Sequence, residues 1–209
     1  MSNIVPLPRG RDPSAYRPQP GRDGPDFWPT VDPGLQHMAV YRVLQEVSLE
    51  IPIWEFAAGE GHLVDPIRRR GRLVIATDLF PGRPDIGCHD FLHGEPPPET
   101  CGAVAMTNPP NSQLTEFIVR GLALMDTGWL AGMALLTRLG ADTTKGRGAS
   151  FNRAAYVWKS CWRPYWKPRR KGDQQPRWTA QWTLWLADHS GPPATLCLTH
   201  EEIVAPRLF

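Results

Sequence analysis

The chain has 209 residues, 41% of them hydrophobic, and its 23 Lys and Arg against 21 Asp and Glu leave a formal net charge of +2. That length supports one full-sized α/β domain with little room for a separate recognition domain, and the near-neutral balance does not by itself point to a polyanionic partner. No apolar run approaches the length that crosses a bilayer, and four dispersed cysteines without a basic, apolar leader predict a reduced, cytoplasmic setting.

Residues 1–26 are rich in Pro, Arg and Gly and lack apolar periodicity, which predicts an extended or disordered arm, either a solvated tail or a basic strand laid along a nucleic acid. A single domain is expected over 27–209, opening with Phe27-Trp28-Pro29-Thr30. Asp32 and Pro33 read as the N-cap and first residue of a helix, and Leu35, Met38, Ala39, Val43, Leu44 and Val47 continue it at helical spacing. Residues 51–57 form a short run of β-formers, followed at once by Ala58-Gly59-Glu60-Gly61. A helix over 62–70 ends at Gly71, with Arg68, Arg69 and Arg70 at its carboxyl end, and 73–77 is a second strand running into Asp78. Such strand, turn, helix, strand units build parallel sheets. The alternation goes on with a strand at 102–107, a helix at 114–125 and a strand at 129–136. Residues 178–187 and 194–199 are expected to close the sheet as an antiparallel pair.

Ligands of an open parallel sheet bind beyond the carboxyl ends of its strands, where both the glycine turn and Asn108-Pro109-Pro110-Asn111 fall. Gly59 and Gly61 let the backbone turn sharply and let a ligand approach it, and Asp78 stands at the offset where an acid accepts ribose hydroxyls. A third glycine for a pyrophosphate is missing, and Glu60 puts a carboxylate where phosphates would lie. A sulfonium cofactor with a cationic methionine end tolerates Glu55 and Glu60, which favours S-adenosylmethionine. Pro109 and Pro110 offer no N–H and fix two φ angles, so their carbonyls are rigid, and Asn108 adds a side-chain carbonyl. Together they would accept both hydrogens of a planar amine and expose its lone pair for in-line attack on a methyl group.

These motifs, in this order, resemble the amino-methyltransferases of the adenine-N6 type. Trp28, Pro29 and Thr30 are similar to the family's entry segment, Glu55, Ala57, Gly59 and Gly61 to its cofactor turn, and Asp78 to its ribose ligand. Asp90 and Phe91 are similar to its adenine-contacting segment, and Asn108, Pro109, Pro110 and Asn111 to its catalytic tetrapeptide. The resemblance spans about residues 27–136 and implies a Rossmann-like methyltransferase fold: a mostly parallel seven-stranded sheet with an antiparallel C-terminal strand pair and helices on both faces. It also implies S-adenosyl-L-methionine as cofactor and adenine N6 in DNA as acceptor. One departure is Asn111, where the family carries an aromatic ring that stacks on the substrate. Three readings follow: a ring such as Trp28, Phe151 or Trp166 supplies the stack, the substrate is not an extruded base, or methyl transfer is impaired.

Residues 138–177 are basic and aromatic without a clear period, which predicts an insertion that recognises substrate. Arg138, Arg147, Arg153, Lys167, Arg169, Arg170 and Lys171 would neutralise phosphates, while Phe151, Tyr156, Trp158, Trp162, Tyr165 and Trp166 would stack bases or pack on the sheet. The expected partner is nucleic acid, DNA ahead of RNA. A protein glutamine amide, a small molecule, or a binding role without turnover stay open. Cys88, His89, His93 and Cys101 do not match paired-ligand spacings, and Pro96-Pro97-Pro98 stiffens the loop between them, so no metal is expected.

Overall fold

The computed structural model describes residues 28–166 and 178–204. The expected arm at 1–26, Phe27 of the entry segment, and the cations Lys167, Arg169, Arg170, Lys171 and Arg177 lie outside them.

The first helix starts where its residues dictate. Asp32 Oδ1 accepts the Leu35 N–H at 3.2 Å, and Pro33, with no N–H to leave unpaired, opens α1 (Pro33–Tyr41). Helical spacing predicted one helix reaching Val47. Instead α1 stops at Arg42, and a tighter turn of 3-10 helix covers Val43–Glu46. Arg42 leaves helical geometry at φ −125° and its guanidinium donates to the Glu202 carbonyl, which draws this turn onto the last helix of the chain.

The elements that follow are β1 (Ile53–Glu55), α2 (Val64–Arg69), β2 (Val74–Asp78), β3 (Gly87–Cys88), β4 (Val104–Thr107) and α3 (Leu114–Asp126). After them come β5 (Gly132–Arg138), α4 (Gly148–Phe151), β6 (Tyr156–Ser160), β7 (Ala180–Leu186), β8 (Ala194–Leu198) and α5 (His200–Val204). All eight strands join one sheet in the order β3-β2-β1-β4-β5-β7-β6-β8. Only the pairs β5–β7 and β6–β7 are antiparallel, so β7 alone runs against the rest.

Two expectations need correction. The sheet has eight strands and not seven, and β7 and β8 are not partners. β6 lies between them, with Trp158 opposite Trp182 of β7 on one side and Leu196 of β8 on the other. Trp158 is fully buried, and Tyr156 stacks on it with 5.2 Å between ring centroids. The basic residues around this stretch concealed a core strand whose rings pack within the protein. The expectation of helices on both faces holds. Ile53, Val104, Met106, Leu136 and Trp182 face a core shared with α1, α2 and Ile203 of α5, while Trp54, Ala105, Met133, Leu135 and Trp185 face α3 and α4. Strands buried on both faces read as continuous apolar runs, which is why β1, β4 and β5 stood out in the sequence.

Trp182 ties the late strands to the first helix: it is fully buried and its Nε1 donates to the Leu35 carbonyl at 3.1 Å. Trp182→Ala is expected to destabilise the protein by about 3–5 kcal/mol in urea unfolding, the usual range for a large core ring. A loss under about 1 kcal/mol would show that β6 and β7 do not share the core with α1.

Candidate active site

Parallel strands deliver their last residues to one edge of the sheet, and the chemistry-bearing side chains collect there. β1 ends at Glu55, β2 at Asp78 and β5 at Arg138, while Asp90 and Asn108 follow the ends of β3 and β4 by one or two residues. Beyond this edge opens a cavity of about 560 Å³, within the usual range for small-molecule sites.

After β1 the chain must double back, and Gly59 (φ 53°) and Gly61 (φ 82°) take left-handed conformations that favour glycine. Asp78 holds this turn: its Oδ2 accepts the Gly59 N–H and its Oδ1 the Phe80 N–H, each at 2.7 Å. Gly61 has a second reason to be glycine. A Cβ there would lie 2.5 Å from the Arg83 guanidinium, which crosses the turn while bonded to Asp65 and Asp85 at 2.8 Å each. Gly61 therefore sits beneath Arg83 and is absent from the cavity wall, whereas Glu55, Ala57, Gly59 and Asp78 line it.

Burial sets the charge states. Glu55 is 1% exposed, and loss of solvent pushes its carboxyl up to about 8, against the lowering effect of bonds from Thr107 and the Ala57 N–H. Asp78 is raised for the same reason, partly offset by its two backbone N–H partners. Burial also acts upward on Asp90, but the His93 ring and the Leu92 and His93 N–H groups outweigh it and hold that carboxyl below its ordinary range. The Asp90 carboxylate thus reaches the cavity already engaged within its own turn.

Behind Asp90 the rings of Phe56, Phe91 and Phe117 stack in series, with centroids 4.0 Å apart for the first two and 5.4 Å for the last two. All three line the cavity, as do Leu79 and Phe80 at its mouth. Of these only Phe91 was expected from sequence. Leu79 and Phe80 had a legible signal, since two apolar residues directly follow the acid that ends a strand. Phe117 had none, because its helical spacing read only as core.

Trp28, Pro29 and Thr30 of the entry segment also line the cavity wall, together with Asn108 and Pro110. The Asn108 Nδ2 donates to the Trp28 carbonyl at 2.6 Å, which fixes the amide and leaves Oδ1 as an acceptor without a partner among the described residues. Pro109 and Asn111 are not on this wall. Asn111 instead starts a 3-10 turn and borders a narrow cleft of about 30 Å³ with Trp28, Asn108, Arg138, Trp166 and Trp178.

The basic, aromatic segment divides. Arg138 borders the cleft, its guanidinium over the Trp28 and Trp178 rings at 5.8 and 5.2 Å. Arg147 donates to the Thr144 hydroxyl at 2.8 Å and lines neither space. Arg153 pairs with Asp126 in a separate cavity of about 240 Å³. Phe151 is buried against Trp185, 5.3 Å between ring centroids, so it cannot serve as a stacking ring for substrate. His89 bonds the Glu95 carbonyl and His93 bonds Asp90, and among the described residues no three His, Cys, Asp or Glu side chains gather to hold a metal. No helix among them is long and apolar enough to cross a membrane.

No family model and no curated protein matches the chain. Solved structures do. A Listeria monocytogenes protein assigned to the class I S-adenosylmethionine-dependent methyltransferases superposes with TM-score 0.56 at 12% identity, covering 85% of this chain and 67% of its own. A Vibrio vulnificus protein assigned as the modification subunit of a type I restriction enzyme gives 0.50 at 13% identity, covering 90% of this chain and 49% of its own. The chain thus spans about half the length of the Vibrio protein, and at such identities the likeness establishes the fold.

Because the folded state raises the Glu55 carboxyl from 4.5 to about 8, its favourable contribution is complete below pH 4.5 and is lost as pH rises through 8. Glu55→Gln escapes that loss. Its melting temperature relative to the parent protein is expected to rise by several degrees between pH 5 and pH 9. A difference that stays flat would mean Glu55 is ionised in the folded protein throughout.

Proposed function

We propose that the protein is an S-adenosylmethionine-dependent N-methyltransferase whose acceptor is an exocyclic amine, adenine N6 in DNA. The observation that carries this reading is the Asn108 amide, fixed by the Trp28 carbonyl, on the wall of the cavity that also holds Glu55 and Asp78. The residues present fit the cofactor. The Asp78 carboxylate keeps lone pairs for two ribose hydroxyls, the Phe56–Phe91 stack and Leu79 give apolar wall to a nucleobase, and Glu55 is a buried acid without a cationic partner among the described residues. A cationic ligand would favour its carboxylate form.

The cofactor supplies a methyl group on a positively charged sulfur. Asn108 Oδ1 would accept a hydrogen of the acceptor amine, which would draw its lone pair out of conjugation and toward that methyl. When bound, the cofactor's cationic sulfur would serve as the leaving group for that methyl. The nitrogen passes its surplus proton to solvent, so no strongly basic side chain is required. Three features support DNA as the polymer: the likeness of Asp90-Phe91 and Asn108-Pro109-Pro110 to the adenine-N6 family motifs, the fold shared with a restriction modification subunit, and Arg138 beside Asn108.

Incubation with methyl-labelled cofactor and DNA, RNA or a protein extract is expected to label DNA as N6-methyladenine, and Asn108→Ala to lower the rate at least about a hundredfold, the scale for losing one oriented catalytic hydrogen-bond partner. Label that survives the substitution, or that enters only RNA or protein, would sink the DNA assignment. Calorimetry should find cofactor binding weakened about tenfold or more by Asp78→Ala, which removes charged hydrogen bonds to ligand and turn together. Unchanged affinity would place the nucleoside elsewhere.

A further inference from the structure

We propose that the cleft beyond Asn108, walled by Trp28, Trp178, Arg138 and Thr137, is the subsite that grips the planar ring bearing the acceptor amine, with Trp178 supplying the stacking face that Asn111 lacks. The inference rests on the methyltransferase reading above and specifies where the acceptor lies. Trp28 and Asn108 line both the large cavity and the cleft, so the two spaces meet at the amide argued to hold the amine.

The position of Trp178 follows from the reversed strand. β7 begins at the edge where its neighbours end, with Arg138 opposite Ala180 and the Leu139 N–H donating to the Thr179 carbonyl at 3.0 Å. Trp178 is thereby brought beside Arg138 and left 54% exposed. An indole so exposed at the rim of a site has a face to offer. Segment 161–166 arrives from the other side, where the Tyr165 N–H donates to Asp32 Oδ2 at 3.1 Å and helps bring Trp166 to the same cleft.

Two observations indicate a ligand with both a flat face and a polar edge. First, the flat Arg138 guanidinium lies over both indoles, and faces that hold a planar cation serve equally for a heteroaromatic ring. Second, Thr137 borders the cleft, is 4% exposed, and has a buried hydroxyl with no hydrogen-bond partner among the described residues. A ring nitrogen or carbonyl would satisfy it. At about 30 Å³ the cleft has little more than room for one water, so the ring enters by displacing the Arg138 side chain. The displaced guanidinium is then free to pair with a phosphate of the same strand.

The test is a titration of the full-length protein, with S-adenosylhomocysteine present, by a single-stranded oligonucleotide carrying 2-aminopurine, an adenine analogue whose fluorescence is quenched on stacking. The parent protein is expected to quench it. Trp178→Ala should weaken binding about tenfold or more and remove the quench, Trp178→Phe should retain most of both, and Arg138→Ala should flatten the salt dependence. Absence of a quench with the parent protein, or quench and affinity unchanged in Trp178→Ala, overturns the subsite. A parent protein that quenches the base but transfers no methyl to DNA would keep the subsite and remove the DNA methyltransferase reading. One that methylates DNA with the same KM and kcat after Trp178→Ala would do the reverse.

Discussion

After β1 the Ala58 N–H still reaches the Thr77 carbonyl of β2 at 3.0 Å, and at the next residue the Asp78 carboxylate takes over, accepting the Gly59 N–H at 2.7 Å. That bond lets a glycine turn fold back over the sheet edge, and the turn in turn supplies Ala57, Gly59 and Glu60 to the cavity. Burial keeps the Asp78 carboxyl high and its two N–H partners draw it down, so one side chain serves at once as structural cap and polar wall. The loop that follows Asp78 lies across the turn through Arg83 and the Gly82–Gly59 backbone bond. Few residues are therefore free to change in this corner without altering the cavity.

The opposite corner depends on direction. Six strands in the order β3-β2-β1-β4-β5 and β6 run together, and a seventh, β8, follows β6, so carboxyl ends accumulate on one edge. The single reversed strand contributes an amino end to that edge. This is how Trp178 meets Arg138, and how a site built from the middle of the sheet gains a wall from late in the chain. The Asn108–Trp28 bond links residues 80 positions apart and connects that wall to the entry segment.

Much of this was legible because parallel strands buried on both faces leave apolar runs, and because glycine, proline and acid punctuation marks their carboxyl ends. Glu55, Gly59, Asp78, Asp90, Asn108 and Pro110 could be gathered on those grounds from the sequence alone. β6 could not. Tyr156-Val157-Trp158-Lys159-Ser160 alternates only over five residues amid cations, and the burial of Trp158 is a property of its neighbours Trp182 and Leu196. Composition spoke there for solvent and polyanions, and packing decided otherwise. Gly61 carries a second demand with no signal in the sequence, since a side chain there would meet Arg83. The pairing of Arg153 with Asp126 was equally invisible, since 27 residues and a strand separate them.

The register between β6 and β7 carries one more implication. Lys159 and Gln181 face each other across adjacent antiparallel strands, so the chain between them leaves and re-enters the sheet at nearly the same place. Closing such an excursion depends only weakly on its length, about 0.6 kcal/mol for each doubling. Trp166 and Trp178, near its two feet, both border the cleft at Asn108. The sheet therefore tolerates a change of length at this point with little cost to the pairing of β6 and β7.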